Sequence, residues 1–199
     1  SCPYPIASHM LKAELRRTAS AARRALPAAE VARRSAALLQ QLQQHFEVAQ
    51  WRWLHVFLPA ARQHEPDTWP IIRWLWAEHP AVQVAVPVVQ ADGVTLRHYH
   101  LNPDTRLVES RWGIPEPVGA AEVAPAAIDA VLLPLLAFDE RGQRVGYGKG
   151  FYDRFLAECR PETLRIGISL EPPVPQITDV WPGDVPLHAC LTPERVWLF

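Results

Sequence analysis

The sequence predicts an α/β protein, a three-layer αβα sandwich with a mostly parallel central sheet. Short apolar runs rich in β-branched residues alternate with segments whose apolar residues recur at helical spacing. The longest apolar run, residues 130–138, is flanked by aspartates and has no polar residue on either face, as expected of a buried parallel strand. Strands that alternate with helices in this way form a parallel sheet covered on both faces.

Two amphipathic helices are predicted over residues 11–26 and from about residue 28 to residue 46, separated by Pro27. Most of their arginines are expected to face solvent. Lys12 and Arg16 lie four residues apart, so they share one side of the first helix, where together they could bind a polyphosphate. On spacing alone, a solvated face is the favoured interpretation for these two side chains as well.

Strands and helices alternate through the rest of the chain. A third helix is predicted over residues 69–78 and a fourth from about residue 151. The predicted strands cover residues 53–58, 82–88, 95–100, 128–135, 164–170 and 195–198. Residues 102–126 are rich in proline and glycine and are predicted to form a long irregular connection. The length of this connection indicates that it is functional or exposed.

Histidines and tryptophans supply two further expectations. His98 and His100 would share one face of a strand, as a pair of metal ligands could, but no third ligand accompanies them. They are therefore interpreted as a polar strand face. Four tryptophans in apolar stretches are expected to pack in or near the core, namely Trp51, Trp53, Trp74 and Trp76.

Length and composition predict one soluble domain over residues 10–199. The net charge of −1 offers no general attraction to nucleic acid or to an anionic membrane, and neither is expected as a partner. No apolar run approaches the ~20 residues of a membrane helix. The three cysteines show no CxxC spacing, which argues against disulfides or a zinc site, so a reducing cytoplasm is expected. The protein is also expected to be a monomer. Residues 1–9 are interpreted as an expression-vector leader, because Met10 is the only methionine and Ser8-His9-Met10 resembles a vector junction.

A glycine-rich segment follows the predicted strand at residues 128–135. Three glycines, able to take positive φ and turn backbone N–H groups toward an anion, alternate with larger residues at Gly146, Gly148 and Gly150. Arg144 and Lys149 would add positive charge, and the next helix presents its N-terminus to the same anion. Asp153 lies where it could hold a metal ion. The spacing GxGxGxxD matches neither the Walker pattern nor the dinucleotide fingerprint, so the residues alone predict anion binding.

The string PLLAFDERGQRVGYGKGFYDR at residues 134–154 resembles the signature of the 5-formyltetrahydrofolate cyclo-ligase family. Four shorter segments are similar to other parts of that family's pattern: KAELR at residues 12–16, HEPDT at 64–68, WGIPEP at 112–117 and DVPL at 184–187. The resemblance therefore covers nearly all of the chain after Met10. Leu135 and His188 depart from it, because many members have a glycine and an acid at those positions.

This resemblance implies an enzyme that converts 5-formyltetrahydrofolate to 5,10-methenyltetrahydrofolate, with ATP as co-substrate and Mg²⁺ as cofactor, and releases ADP and phosphate. In the family scheme, the formyl oxygen attacks the γ-phosphorus of ATP, and the nitrogen at position 10 then captures the activated carbon. The resemblance assigns Glu65, Lys149 and Arg144 to catalysis. It implies Asp153 and Asp184 as ligands of the metal.

The implied ligand contacts form two groups. The ATP-binding group comprises Lys12, Arg16, Arg144, Val145, Gly146, Tyr147, Gly148, Lys149, Gly150, Phe151 and Tyr152. The group that binds the reduced folate comprises Glu65, Trp112 and Tyr152. Trp112 would stack on the pterin, and Glu65 would contact the nitrogen at position 10 and take its proton.

Two alternatives remain open at this point. One is a paralogue that keeps the ATP site but acts on another formylated or carboxylated small molecule, because a phosphate site constrains its acceptor site poorly. The other is a non-catalytic module that binds a nucleotide or RNA through the basic first helices. Glu65 and Trp112 argue against the first alternative, and the near-neutral net charge argues against the second.

Overall fold

The computed structural model describes residues 10–199, and the interpretation of residues 1–9 as a vector leader lies outside them. Four α-helices are present in this part of the chain: α1 Lys12–Arg24, α2 Ala28–His45, α3 Trp69–Glu78 and α4 Phe151–Glu158. The first six strands are β1 Trp53–Val56, β2 Gln83–Val89, β3 Leu96–Leu101, β4 Arg106–Glu109, β5 Pro115–Val118 and β6 Ala130–Pro134. The remaining five are β7 Ala137–Phe138, β8 Arg144–Val145, β9 Leu164–Ile168, β10 Ala189–Leu191 and β11 Val196–Leu198.

Seven of these strands form the central sheet, in the order β11-β10-β9-β6-β1-β2-β3. The five inner strands run parallel, and β11 and β3 pair antiparallel at the two edges. β6, whose five residues are all buried, lies in the middle, as its uninterrupted apolar sequence predicts. The predicted mostly parallel sheet is therefore confirmed.

Helices cover both faces of the sheet. Alternate residues of β1 point to opposite sides, so Leu54 packs with α2 and α3, whereas His55 contacts Phe155 of α4. α2 and α3 bury leucine and isoleucine side chains on the first face, and α4 buries Phe155 and Leu156 on the other. The three-layer αβα arrangement predicted from the sequence is confirmed.

The first helix lies apart from both layers. Leu15 of α1 packs against Ala137 of β7 and Val145 of β8, a small hairpin that follows the carboxyl end of β6. In parallel α/β sheets, ligands gather at the carboxyl ends of the strands. α1 is therefore positioned beside the edge at which a ligand is expected.

Two sequence predictions about the middle of the chain are wrong. Residues 102–126 are not irregular throughout, because β4 and β5 form an antiparallel hairpin within them. His98 does not lie on a polar strand face: its side chain is buried and contacts the buried His55. The four tryptophans named above do pack in or against the core, as predicted. Within residues 10–199, no helix is both long and apolar enough to cross a bilayer.

Candidate active site

The glycine-rich loop and the first half of α1 face each other across a cavity of about 550 Å³. This volume lies within the ~300–1,000 Å³ that is usual for small-molecule sites. Its lining includes ten of the eleven residues that the resemblance assigned to ATP, namely Lys12, Arg16, Arg144, Gly146, Tyr147, Gly148, Lys149, Gly150, Phe151 and Tyr152. Asp153 and Asp184 line the same cavity. Segments more than 100 residues apart in the sequence thus meet at one cavity.

The loop backbone requires glycine at two positions. Gly148 and Gly150 have φ values of +85° and +69°, a conformation that L side chains rarely adopt. A Cβ atom at Gly148 would lie 3.3 Å from Cζ of Arg16, and one at Gly150 would lie 2.8 Å from Nη1 of Arg154. Gly150 is also the N-cap of α4 and provides no side-chain cap, so the first N–H groups of that helix remain available to an anion.

Two cations of α1 contact the opposite wall of the cavity. Nε of Arg16 donates a hydrogen bond to the carbonyl oxygen of Gly146 at 3.0 Å. Nζ of Lys12 forms an ion pair with Oδ2 of Asp184, and the Lys12 backbone N–H donates to Asp179 at 2.9 Å. The interpretation of Lys12 and Arg16 as a merely solvated face is therefore wrong, because both side chains face the cavity.

Arg144 is a deeply placed cation of the site. Its side chain is 8% exposed, and Nη2 donates to Oδ1 of Asp153 at 2.5 Å. Burial lowers the pKa of Arg144, and the charges of Asp153 and Asp184 oppose that shift. Nε of Arg144 is buried and has no hydrogen-bond partner among residues 10–199. A buried donor without a partner is uncommon and is consistent with a site that receives an anion.

Two carboxylates provide oxygen atoms for a hard cation. Oδ1 of Asp153 also accepts from the backbone N–H of Val185, and Oδ2 of Asp184 accepts from that of Trp181. Within the described chain, the second oxygen of each carboxylate makes no hydrogen bond to protein. One or two carboxylates together with substrate phosphates are the usual ligands of Mg²⁺. These residues therefore fit the implied metal, although no cluster of three potential ligands occurs in residues 10–199.

Glu65 is buried beyond the carboxyl end of β1 and does not line the 550 Å³ cavity. Its Oε1 accepts a hydrogen bond from the backbone N–H of Ala60 at 3.0 Å. Burial raises the pKa of Glu65, and the Ala60 N–H, the charge of Arg23 and the Tyr147 hydroxyl oppose the shift in that order. Tyr147 belongs to the glycine-rich loop, so the groups that act on the pKa of Glu65 include one from that loop.

Arg23 is a residue of the site that the sequence analysis missed. It was grouped with the solvent-facing arginines of the first helices, yet it is 8% exposed. Nη1 donates to the Tyr147 hydroxyl at 2.8 Å, and Nη2 donates to the carbonyl oxygen of Leu135 at 2.6 Å. The available signal was its spacing, because Lys12, Arg16 and Arg23 follow one side of α1 over three turns.

Besides Glu65, the structure separates two further predicted residues from the cavity. Trp112 lies at the turn between β4 and β5 with 56% of its surface exposed, and Cζ of Arg111 is 4.6 Å from the centre of its ring. The Val145 side chain is buried against Leu15, so only its backbone could contact a nucleotide. The predicted contact of Trp112 with folate stays a prediction.

The chain is similar to known proteins along most of its length. The model of the 5-formyltetrahydrofolate cyclo-ligase family matches residues 8–177, a range that includes Glu65 and Asp153 but ends before Asp184. The 5-formyltetrahydrofolate cyclo-ligase of Escherichia coli (strain K12) is 37% identical over 139 residues, which are 67% of this chain and 74% of that protein. The mouse (Mus musculus) protein of the same name is 28% identical over 154 residues, 75% of this chain and 73% of its own.

A solved structure extends the likeness to the fold. The NMR structure of 5,10-methenyltetrahydrofolate synthetase from Aquifex aeolicus superposes with a TM-score of 0.77 at 28% sequence identity, and covers 95% of this chain and 93% of that one. The family match, the sequence relatives and the shared fold all lead to one assignment. This protein belongs to the 5-formyltetrahydrofolate cyclo-ligase family and is thus a ligase of folate metabolism.

Proposed function

We propose that this protein couples ATP hydrolysis to the cyclisation of 5-formyltetrahydrofolate, and releases 5,10-methenyltetrahydrofolate, ADP and phosphate. The observation that carries the proposal is the joining of a glycine-rich loop, a free helix N-terminus and several cations around one cavity. These cations include Lys12, Arg16, Arg144 and Lys149. Together these groups suit the triphosphate of a nucleotide, which needs backbone N–H donors and positive charge.

The chemistry explains why a phosphate donor is needed. The formyl oxygen is a poor leaving group until it carries a phosphoryl group. Its attack on the γ-phosphorus releases ADP and leaves an iminium phosphate, in which the formyl carbon is open to the nitrogen at position 10. When that nitrogen adds and loses its proton, phosphate departs and the methenyl bridge closes. Arg144 and Lys149 would stabilise the charge on the transferring phosphoryl group.

Glu65 is proposed to accept the proton of the nitrogen at position 10. A general base must be able to exist in both protonation states near the working pH. Burial raises the pKa of Glu65 toward that range, and the Ala60 N–H, the charge of Arg23 and the Tyr147 hydroxyl oppose the shift. Trp112 and Tyr152 are proposed as further contacts of the folate, because the exposed indole of Trp112 offers an open face for stacking.

Mg²⁺ is proposed to bind at Asp153 and Asp184, whose second oxygens are free of hydrogen bonds to protein within residues 10–199. The chemistry that the ion supplies when bound is neutralisation of charge on the phosphate oxygens. Asp153 is held in place by Arg144 and by the Val185 N–H, so its carboxylate is oriented before any ligand binds.

The test is an assay of the purified protein with ATP, Mg²⁺ and 5-formyltetrahydrofolate. We expect the methenyl chromophore to appear together with one ADP for each folate converted. Equal rates with and without nucleotide would reject the coupling to ATP. Replacing the substrate with other formylated small molecules checks whether the acceptor site is specific for folate.

Glu65→Gln tests the division of the site into two halves. The amide keeps the size of the side chain but cannot take a proton, so cyclisation should fall ~10²–10⁴-fold while the affinity for ATP changes little. Lost ATP affinity in this variant would place Glu65 in the nucleotide half instead. The control is Glu47→Gln, which makes the same chemical change outside the site.

We also propose that the enzyme works as a monomer in the cytoplasm. Cys159 and Cys190 are free thiols, and Cys190 is fully buried, which suits a reducing compartment. Light scattering on the purified protein across a range of concentrations tests the oligomeric state. A mass near 45 kDa, about twice the 22.4 kDa of the chain, would reject the monomer.

A further inference from the structure

Trp181 carries an exposed indole at the rim of the 550 Å³ cavity. Two tryptophans within residues 10–199 are more than half exposed, Trp112 at 56% and Trp181 at 64%. Of these two, only Trp181 lines the cavity. A tryptophan left in water forgoes the burial of roughly 150–250 Å² that draws most aromatic side chains into a core. An open ring at a ligand cavity is suited to receive a flat ligand instead.

A tight turn holds this indole in place. The backbone N–H of Asp184 donates to the carbonyl oxygen of Trp181 at 3.0 Å, and the Trp181 N–H donates to Oδ2 of Asp184 at 3.1 Å. Pro182 and Gly183 lie at the corners of the turn, where the proline ring fixes φ. A Cβ atom at Gly183 would lie 2.5 Å from Cη2 of Trp181, so the ring packs directly against the glycine. The sequence WPGD therefore positions the ring before any ligand binds.

The turn is attached to one end of α1. Oδ2 of Asp184 also pairs with Nζ of Lys12, at the N-terminal end of the helix. The segment that carries Glu65 lies at the other end, because Nδ1 of His64 is 3.1 Å from the carbonyl oxygen of Leu26, just beyond the helix. A helix rises ~1.5 Å per residue, so Lys12 and Leu26 lie ~20 Å apart along its axis. The indole and the Glu65 segment are thus at opposite ends of α1.

This order gives a bound nucleotide a direction. In the proposed reaction the γ-phosphorus meets the formyl group of the folate, and Glu65 is the proton acceptor for that folate. The base is the part of ATP farthest from the γ-phosphorus, so it extends toward the other end of α1. There the open face of the Trp181 ring lies next to the ion pair of Lys12 and Asp184. Every base has a π-face that can stack on an aromatic ring.

We propose that Trp181 stacks on the base of the nucleotide and provides the affinity of the site for the nucleoside part of ATP. The proposal rests on the proposed function, because it needs the phosphates in the glycine-rich cavity and the γ-phosphorus directed to the folate. Trp181 is not among the residues that the resemblance assigned to ATP. It contacts none of the reacting atoms and acts through binding alone.

Calorimetric titration without folate separates the base from the phosphates. ATP and inorganic tripolyphosphate, each with Mg²⁺, share three phosphates and differ in the nucleoside. Trp181→Ala should weaken ATP binding ~10-fold, as expected for loss of a ring that stacks on a base, and leave the affinity for tripolyphosphate unchanged. Trp181→Phe should recover most of the ATP affinity. Trp181→Leu, which is apolar but not aromatic, should not.

Gly183→Ala tests the position of the ring without removing it. The φ angle of Gly183 is not positive, so alanine fits the backbone, but its Cβ would displace the indole. ATP binding should weaken as in Trp181→Ala, again with the tripolyphosphate affinity unchanged. Trp112→Ala is the matched control in these titrations without folate, because it removes an exposed indole that does not line the cavity. It should leave both affinities unchanged.

Fluorescence gives a second signature of stacking. A base in contact with an indole quenches its emission, so ATP should lower the tryptophan fluorescence of the wild type more than tripolyphosphate does. The part of the quenching that is specific to ATP should be absent in Trp181→Phe, although this variant still binds ATP. The same quenching in wild type and variant would assign it to another tryptophan and overturn the proposal.

The titrations also separate the two proposals. If Trp181→Ala binds ATP as tightly as the wild type, or loses affinity for tripolyphosphate to the same extent, the indole does not bind the base and the proposal is overturned. Weaker binding of 5-formyltetrahydrofolate with unchanged binding of ATP would place Trp181 in the folate half and overturn it as well. A wild type whose ATP affinity depends on Trp181 but which does not cyclise folate rejects the proposed function alone.

Discussion

Acidification should destabilise this protein through a pair of histidines under α4. His55 and His98 are 0% and 3% exposed, and Nε2 of the first lies 2.8 Å from Nδ1 of the second. Phe155 stacks on the His98 ring at 4.0 Å, and no carboxylate of the described chain forms an ion pair with either imidazole. Burial lowers the pKa of His98 from 6.5 to about 4. Burial, then the charge of His98, lowers the pKa of His55 as well.

The sign and size of the effect follow from proton linkage. Between pH 6.5 and pH 4 the unfolded chain binds a proton at His98 that the folded chain does not, so stability falls as the pH falls. Each pH unit in this range changes the free energy of unfolding by about 1.36 kcal/mol. The interval from pH 6.5 to pH 5 is about 1.5 units, so the protein should lose about 2 kcal/mol of stability at pH 5. His55 adds to this loss. Glu30 and Asp92, whose pKa values are lowered to about 2, act only at more acidic pH.

Urea unfolding followed by circular dichroism at pH 5, 6, 7 and 8 measures this dependence. The histidine pair should cost the wild type about 2 kcal/mol between pH 7 and pH 5, or about 4–8 °C in Tm. In the double variant His55→Val with His98→Leu the loss should largely disappear. His45→Gln, at the exposed end of α2, is the matched control and should behave as the wild type. An equal loss in the double variant would refute the assignment to the buried pair.

Three predictions concern the nucleotide half of the site. Arg144→Ala and Lys149→Ala should each lower kcat ~10²–10³-fold; unchanged turnover in both would make the loop structural only. Asp153→Asn should raise the Mg²⁺ concentration needed for half-maximal activity, because the amide loses the charge that a hard cation prefers. If the wild type and the variant depend on Mg²⁺ in the same way, Asp153 does not bind the metal and serves only to hold Arg144. Gly150→Ala should weaken nucleotide binding, measured by calorimetry, since φ is +69° and its Cβ would lie 2.8 Å from Arg154; wild-type affinity would show that the loop can relax.

The sequence predicted the elements whose signals are local. The apolar run of β6 and the helical periods of α2 and α3 predict their own secondary structure, because burial repeats within each segment. The β4–β5 hairpin was missed because Pro115 and Pro117 argue against a strand. In this two-stranded sheet both prolines are tolerated, since β5 pairs with β4 alone. β10 is three residues long, too short to show a period, and depends on its neighbours β9 and β11.

The same distinction applies to the site. The glycine-rich loop could be predicted because its glycines, cations and helix start are consecutive in the sequence. The burial of Arg23 could not, because it depends on Leu135 and Tyr147, more than 100 residues away. Spacing shows that Arg23 shares a side of α1 with Lys12 and Arg16. It does not show that a strand end lies against that side.

The ion pairs of the cavity add a constraint on how ligands bind. In this structure Lys12 is paired with Asp184 and Arg144 with Asp153. A triphosphate that takes Lys12 leaves the Asp184 carboxylate, which is 12% exposed, without its partner, and this opposes binding of the nucleotide alone. Under the proposed mechanism Mg²⁺ takes the carboxylates while the phosphates take the cations, so every charge keeps a partner. Nucleotide and metal should therefore bind cooperatively, with ATP affinity in excess chelator much weaker than in Mg²⁺, and Asp184→Asn should reduce that difference.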